Sequence, residues 1–283
     1  MALAEAERAL SGFFNPELER SFTAGWPLVS LAEALAVAAL YLGCTLAGSA
    51  LMSGRDALDG PLLRLAMIAY NVVQVGLCGY MTAETAWQYV LLEYRPICNN
   101  ELVLLPGQPF LPTGMSNVLW VFYLSKVLDF CDTAFIVLRK KDRQLSFLHV
   151  FHHTSIFLVY YLQTLIAYNG DGFLAVILNS FVHLVMYSYY GLIAAFPGYS
   201  PPWKCWVTRL QMIQFCCMIG QGCYMLAVCP NPGKRVTVLY ISYIVFLLGL
   251  FNAFSRKTYS AGEGGGGAAP WRMSSSHRGK KAD

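Results

Sequence analysis

Seven runs of this chain are long and apolar enough to cross a bilayer, and that constrains the fold more than any other feature. A spanning helix needs about 20 mostly apolar residues. The runs lie at roughly 24–50, 64–92, 116–138, 146–167, 172–196, 204–228 and 235–255. With no water in the hydrocarbon core, backbone N–H and C=O groups must be paired within each segment, so each run is predicted to be a helix. Composition agrees: 56% of the 283 residues are hydrophobic, only 13% are charged, and mean hydropathy is +0.47. The expected fold class is all-α, a polytopic membrane protein with seven transmembrane helices. The connections leave no room for a soluble domain. We therefore divide the chain into an N-terminal segment (1–23), one membrane domain (24–258) and a Gly- and Ser-rich basic tail (259–283) predicted to be disordered.

Charge in the loops gives the orientation. Cytosolic loops carry an excess of Lys and Arg. The side holding loops 1–2, 3–4, 5–6 and the C-terminus has fourteen cations, among them Arg139, Lys140, Lys141 and Arg143. The opposite side has five: Arg8, Arg20, Arg95, Lys234 and Arg235. The C-terminus is expected in the cytosol and the N-terminus in the lumen. Lys280-Lys281-Ala282-Asp283 matches a dilysine retrieval signal, which works only on a cytosolic tail and points to the endoplasmic reticulum. No cleavable signal peptide is expected, because acids and bases are mixed through residues 1–20. Phe13, Phe14, Leu18 and Phe22 fit either a short interfacial helix or a frayed terminus. Most of the nine cysteines fall within spans. Cys98 and Cys229 fall in lumenal loops, where a disulfide can form, and a bridge between them is expected.

Ionisable groups at membrane depth are costly and usually functional. Three of the five histidines form His149-Val-Phe-His152-His153, an H-x-x-H-H box on one face of the fourth span. The third span carries Lys126, Asp129, Asp132 and Thr133. The fifth carries Asn179, His183, Met186, Tyr187 and Tyr190, and the sixth carries Thr208, Gln211 and Gln214. Singly, such groups are often interhelical glue, and the Lys–Asp cluster fits a neutralised structural tie equally well. Four polar stripes together suggest a chamber opening toward the basic loop.

Two chemistries fit four histidines. They could ligate a metal, as in a histidine-ligated membrane oxidase or desaturase, although di-iron boxes of that kind use about twice as many. Alternatively an imidazole acts as nucleophile or general base, with a second donating to a developing oxyanion. The basic loop would then suit a phosphate-bearing carrier such as coenzyme A.

Four boxes in order resemble the ELO family of very-long-chain fatty-acid elongases. They are Ser125-Lys126-Val-Leu-Asp129-Phe-Cys-Asp132-Thr133, Gln144 through His153, Asn179 through Tyr190, and Thr208-Arg-Leu-Gln211-Met-Ile-Gln214. Asp129 stands where many members have Glu, an exchange that keeps the charge. The resemblance implies a very-long-chain 3-oxoacyl-CoA synthase, the condensing enzyme of microsomal elongation, which joins a long-chain acyl-CoA to malonyl-CoA. It implies six of seven helices forming a barrel around an acyl tunnel, and neither cofactor nor metal. Ketoacyl-CoA reductase, dehydratase and enoyl reductase would be partners in the same membrane. A homodimer is compatible with it, and nucleic acid is not a partner. Carried over by residue, His152 is the nucleophile, His183 positions malonyl-CoA or stabilises its enolate, Asn179 and His153 assist, and His149 orients the box. Lys126, Asp129 and Asp132 shape the mouth and hold the polar network, with Tyr187, Tyr190, Gln211 and Gln214 beside substrate. Arg139, Lys140 and Lys141 are candidates for the CoA phosphates. Gln144, the Gln211/Gln214 box and Asn169-Gly-Asp-Gly172 look like microalgal enzymes acting on polyunsaturated Δ6 C18 chains, with C20 chains the alternative.

Overall fold

The computed structural model describes residues 2–15, 23–99, 114–167, 170–199, 201–229 and 234–260. Leu18, Phe22, Asn169 and the tail with Lys280 and Lys281 lie outside the described residues. Among the described residues eight α-helices follow one another: α1 (Ala2–Phe14), α2 (Leu31–Ser53), α3 (Pro61–Leu91), α4 (Gly114–Leu138), α5 (Phe147–Ile166), α6 (Phe173–Ala195), α7 (Lys204–Val228) and α8 (Lys234–Ser260). A 3-10 turn, Gly170–Gly172, leads into α6. Among the described residues there is no strand.

Five of these helices are long and apolar enough to cross a membrane: α2, α3, α6 with its leading turn, α7 and α8. The seven predicted runs include two more, now α4 and α5, which fall short of that apolarity. The reason is chemical. Lys126, Asp129 and Asp132 interrupt α4, and the three box histidines interrupt α5. The polar groups that make these two helices interesting are the ones that lower their hydropathy.

Residues 2–14 form a helix rather than a frayed end, and it is tied down by polar contacts. The Leu31 N–H and the Tyr161 hydroxyl both donate to Glu7 Oε2, the latter over 2.9 Å. Asn15 Nδ2 donates to the Ile166 carbonyl at 2.9 Å, and Arg235 Nη1 donates to the Phe13 carbonyl at 2.6 Å. These contacts cap α1 against α2, α5 and α8.

Helix starts follow local chemistry. Ser30 caps α2, accepting from the Glu33 N–H while its hydroxyl donates to the Glu33 carboxylate, and Pro61 opens α3 at a position where a missing N–H costs nothing. Ser146 caps α5 by accepting from the His149 N–H, so the histidine box begins in the first turn of its helix. At the end of α4, Lys140 adopts a left-handed φ of 51°. Its N–H bonds the Val137 carbonyl, and the Lys141 N–H bonds that of Ile136, closing the helix as glycine usually does.

Helices α3 and α6, distant in sequence, pack antiparallel. The longest interface joins α3 to α6, where Arg64 Nε and Nη2 donate to the Ala194 and Ala195 carbonyls at one end and Tyr89 meets Phe173 at the other. Helix α6 packs on α7, α7 on α8, α8 on α5, α5 on α4 and α4 on α3, while α2 lies against α4 and α5. Along α3 the buried positions are Asn71, Gln74, Cys78, Met81, Thr85 and Gln88, a three–four spacing that makes the inward face polar. Leu62, Leu65, Val72, Val73, Trp87 and Val90 point outward and are exposed. Apolar outside and polar inside is the pattern that lipid imposes.

Candidate active site

The site grows from one face of α4. Lys126 and Asp129 are one turn apart, 3% and 4% exposed, and paired at 3.1 Å from Nζ to Oδ2. The ammonium also sits 4.1 Å from the Phe122 ring centroid and 3.5 Å from Asn179 Oδ1 on α6. Asp129 Oδ1 accepts from Gln74 Nε2 on α3 at 2.8 Å and lies 3.1 Å from the Tyr187 hydroxyl on α6. That hydroxyl is closer to Asp132 Oδ2, at 2.8 Å. Its single proton bridges two carboxylates one turn apart. Tyr70, on α3, donates to the Tyr187 oxygen at 3.4 Å and accepts from Gln74 Nε2 at 2.9 Å. A carboxylate this deep is tolerable only with such a shell of donors.

The histidines divide by what they touch. His149 Nε2 is 2.8 Å from Thr133 Oγ1, which is itself 3.0 Å from the Tyr41 hydroxyl of α2, so α2 reaches the box through a threonine. His153 is 9% exposed, lies with its ring centroid 4.3 Å from that of His149 at a tilt of 45°, and keeps Nδ1 buried without a hydrogen-bond partner among the described residues. His152 and His183 are only half-buried, and neither ring hydrogen-bonds to any described residue. His152 lies 6.2 Å from the Phe251 ring of α8, and His183 meets the edge of Tyr187 at 5.7 Å. One turn along from His152, Ser155 Oγ lies 3.0 Å from the Tyr243 hydroxyl. Among the described residues no three His, Cys, Asp or Glu side chains converge as a metal-ligating group.

A family model described as the GNS1/SUR4 family, ELO, matches residues 26–265. The chain belongs to the ELO family. Over 238 residues it is 34% identical to human very long chain fatty acid elongase 4, covering 83% of this chain and 74% of that protein. It is 34% identical to mouse very long chain fatty acid elongase 2 over 263 residues, 90% of this chain and 85% of the relative. Elongase 5 of Xenopus laevis is 33% identical over 242 residues, 83% and 78% of the two chains. ELO membership sets this membrane protein in fatty-acid elongation.

The remaining residues singled out in this ELO chain fall in several places. Gln214 is buried with Nε2 3.5 Å from Met218 Sδ, and Gln211 Nε2 is 3.7 Å from Met186 Sδ. Tyr190 packs its ring 6.3 Å from Tyr187. Of the basic loop, Arg139 Nε pairs with Asp59 Oδ1 at 3.0 Å, and Lys140 Nζ donates to the Ser53 and Arg55 carbonyls at 3.3 and 2.8 Å. Both clamp the loop after α2, and Lys141 is half-buried beside them.

At the opposite end of the helices, Cys98 and Cys229 are joined, with Cα atoms 5.4 Å apart. Beside them Asp171 Oδ1 accepts from the N–H and Nδ2 of Asn99, and the Asp171 carbonyl accepts from Gln221 Nε2 at 3.0 Å. Sequence reasoning places α3 as an apolar run and misses its polar face. Its signal was present in Asn71, Gln74, Thr85 and Gln88, recurring at helical spacing through an apolar run.

Proposed function

We propose that this ELO protein is the condensing enzyme of microsomal fatty-acid elongation, joining a long-chain polyunsaturated acyl-CoA, C18 favoured over C20, to malonyl-CoA. One observation carries the assignment of roles: within the box His149 is engaged by Thr133 and His153 is buried, whereas His152 keeps an unengaged, half-open ring.

A neutral His152 nitrogen attacks the acyl thioester carbonyl; the C–S bond breaks and CoA departs as thiol with the imidazole proton. Malonyl-CoA then loses CO2, and the resulting enolate carbon attacks the acyl-imidazole. The C–N bond breaks, the departing imidazole nitrogen takes a proton from water to restore His152, and a 3-ketoacyl-CoA two carbons longer leaves. His183, equally unengaged, and Asn179, held near Lys126, stand on α6 to donate to the enolate oxygen. No redox step is involved, so reduction and dehydration fall to the reductases and dehydratase that complete the cycle.

The cycle of contacts α3–α6–α7–α8–α5–α4 supports a six-helix barrel around an acyl tunnel, with α2 outside as the seventh span. Helices α4 and α5 cross with the others, their polar faces turned inward. Residues 24–258 form this membrane domain, in the endoplasmic reticulum with the N-terminus lumenal, and 259–283 form its cytosolic tail.

Purified protein incubated with an 18-carbon Δ6-polyunsaturated acyl-CoA, without malonyl-CoA, should gain the acyl mass on His152, and malonyl-CoA should discharge it. An unmodified His152 in protein that still turns over would replace the covalent route with general-base activation of malonyl-CoA. Feeding C18 and C20 polyunsaturated acids separately to an expressing host reads chain preference. No product two carbons longer from any chain would overturn the reading.

A further inference from the structure

Gln74 belongs to none of the polar boxes, yet it is among the most enclosed polar side chains, 1% exposed in the middle of α3. Its Nε2 serves both Asp129 Oδ1 and the Tyr70 oxygen, at 2.8 and 2.9 Å. Its Oε1 is buried and has no hydrogen-bond partner among the described residues. A buried amide oxygen left unpaired costs stability. Turning the amide over would set that oxygen against the Asp129 carboxylate, which is worse. The orientation is held by its two donated bonds, at the expense of the oxygen.

Those bonds divide the Asp129 carboxylate. Oδ1 takes Gln74 and Tyr187, which leaves Oδ2 for Lys126 at 3.1 Å. The ammonium thereby stands within 3.5 Å of Asn179 Oδ1, one helical turn from His183. Without Gln74 only the Tyr187 hydroxyl holds Oδ1, at 3.1 Å and shared with Asp132 at 2.8 Å, so the carboxylate can rotate to present both oxygens to Lys126, which draws the ammonium away from Asn179. We propose that Gln74 is a positioning residue for condensation: it fixes the rotation of the Asp129 carboxylate, and through it the aim of Lys126 at the α6 side of the site. This rests on the condensing reading above.

The test uses full-length protein in lipid nanodiscs, with an 18-carbon Δ6-polyunsaturated acyl-CoA and malonyl-CoA. It compares wild type, Gln74→Leu, Gln74→Glu, Asp129→Asn and the Gln74→Leu/Asp129→Asn pair. Gln74→Leu removes the unpaired oxygen together with the two donated bonds, a partial offset, so its melting temperature should fall only modestly. Its kcat should fall about ten- to a hundredfold, the size expected for losing a hydrogen bond to a charged group. KM for malonyl-CoA should stay within about twofold, the split expected when an interaction acts on turnover and not on binding. Gln74→Glu, which sets a carboxylate against Asp129, should be slower still.

In the Asp129→Asn background, adding Gln74→Leu should change kcat less than about twofold, because the two act as one unit. Folded Gln74→Leu with wild-type kcat would overturn the inference, as would fully multiplicative losses in the pair or a kcat that merely tracks the melting temperature. Should Leu not fold, the unbranched Gln74→Met takes its place, and unfolding of both marks a structural role and overturns it too. A wild type that makes no 3-ketoacyl product fails the condensing reading itself, an outcome distinct from a competent wild type with a silent Gln74.

Discussion

Lys126 and Asp129 are the one ion pair that the helix interior contains among the described residues, and breaking it from one side differs from removing it whole. Lys126→Met strands a carboxylate that is 4% exposed with no cation against it. That should cost about 3–5 kcal/mol, seen as a lower melting temperature in nanodiscs. Replacing both, Lys126→Met with Asp129→Leu, leaves no charge to desolvate and should recover most of that loss. Condensation should be lost in both variants, because Lys126 also faces Asn179. Recovery of turnover along with stability in the double variant would show the pair to be a tie between helices only. The distinction matters, since sequence alone leaves the cluster balanced between a structural tie and a functional group. Its placement between Gln74, Tyr187 and Asn179 gives it partners on α3 and α6, which spacing along α4 could not reveal.

The turn leading into α6 shows how an element can hinge on one glycine. Gly170 has φ +64°, and a Cβ there would come within 1.5 Å of the Asn99 carbonyl oxygen. Gly170→Ala should therefore displace residues 94–99 and destabilise the protein by more than the ~1 kcal/mol that a left-handed alanine costs, seen as a lower melting temperature. Cys98 would be pulled from Cys229, so free-thiol labelling of both should rise in the variant. An unchanged melting temperature and no labelling would mean that the loop adapts. This knot was partly legible. Both cysteines can be read as a lumenal pair, and Gly170-Asp171-Gly172 as a motif, but Asp171 bonding Asn99, 72 positions away in sequence, carries no local signal. Similarly, the polar stripes of α4 to α7 are readable because they interrupt apolar runs with charge, histidine or paired glutamines. The stripe of α3 escapes because single amides in a membrane helix look like glue until a carboxylate is found beside them. The basic loop carries a local task that spacing does not announce. Three consecutive cations suggest phosphate contacts, and the fold also engages Arg139 and Lys140 in closing α4 against the loop after α2.

At the scale of the whole molecule, the two ends of the helix set are chemically different, and the proposed orientation suits both. The end with the 139–143 loop also carries the start of α5, and its histidine box lies in the first two turns. CoA esters are cytosolic and charged, and the proposed orientation brings them to that end. The other end carries the Cys98–Cys229 link, which persists only in an oxidising compartment. Fourteen loop cations against five agree with the same assignment. A tag at the C-terminus should thus be digested by protease added to sealed microsomes, while a tag before Ala2 should survive until detergent is added. A membrane-impermeant maleimide applied after reduction should reach Cys98 and Cys229 only once the vesicles are opened. Protection of the C-terminal tag would reverse the whole arrangement: it would put the histidine box at the lumenal mouth, away from its CoA substrates, and the disulfide in the reducing cytosol. Because each of these features fails in the inverted molecule, one protection experiment tests them together.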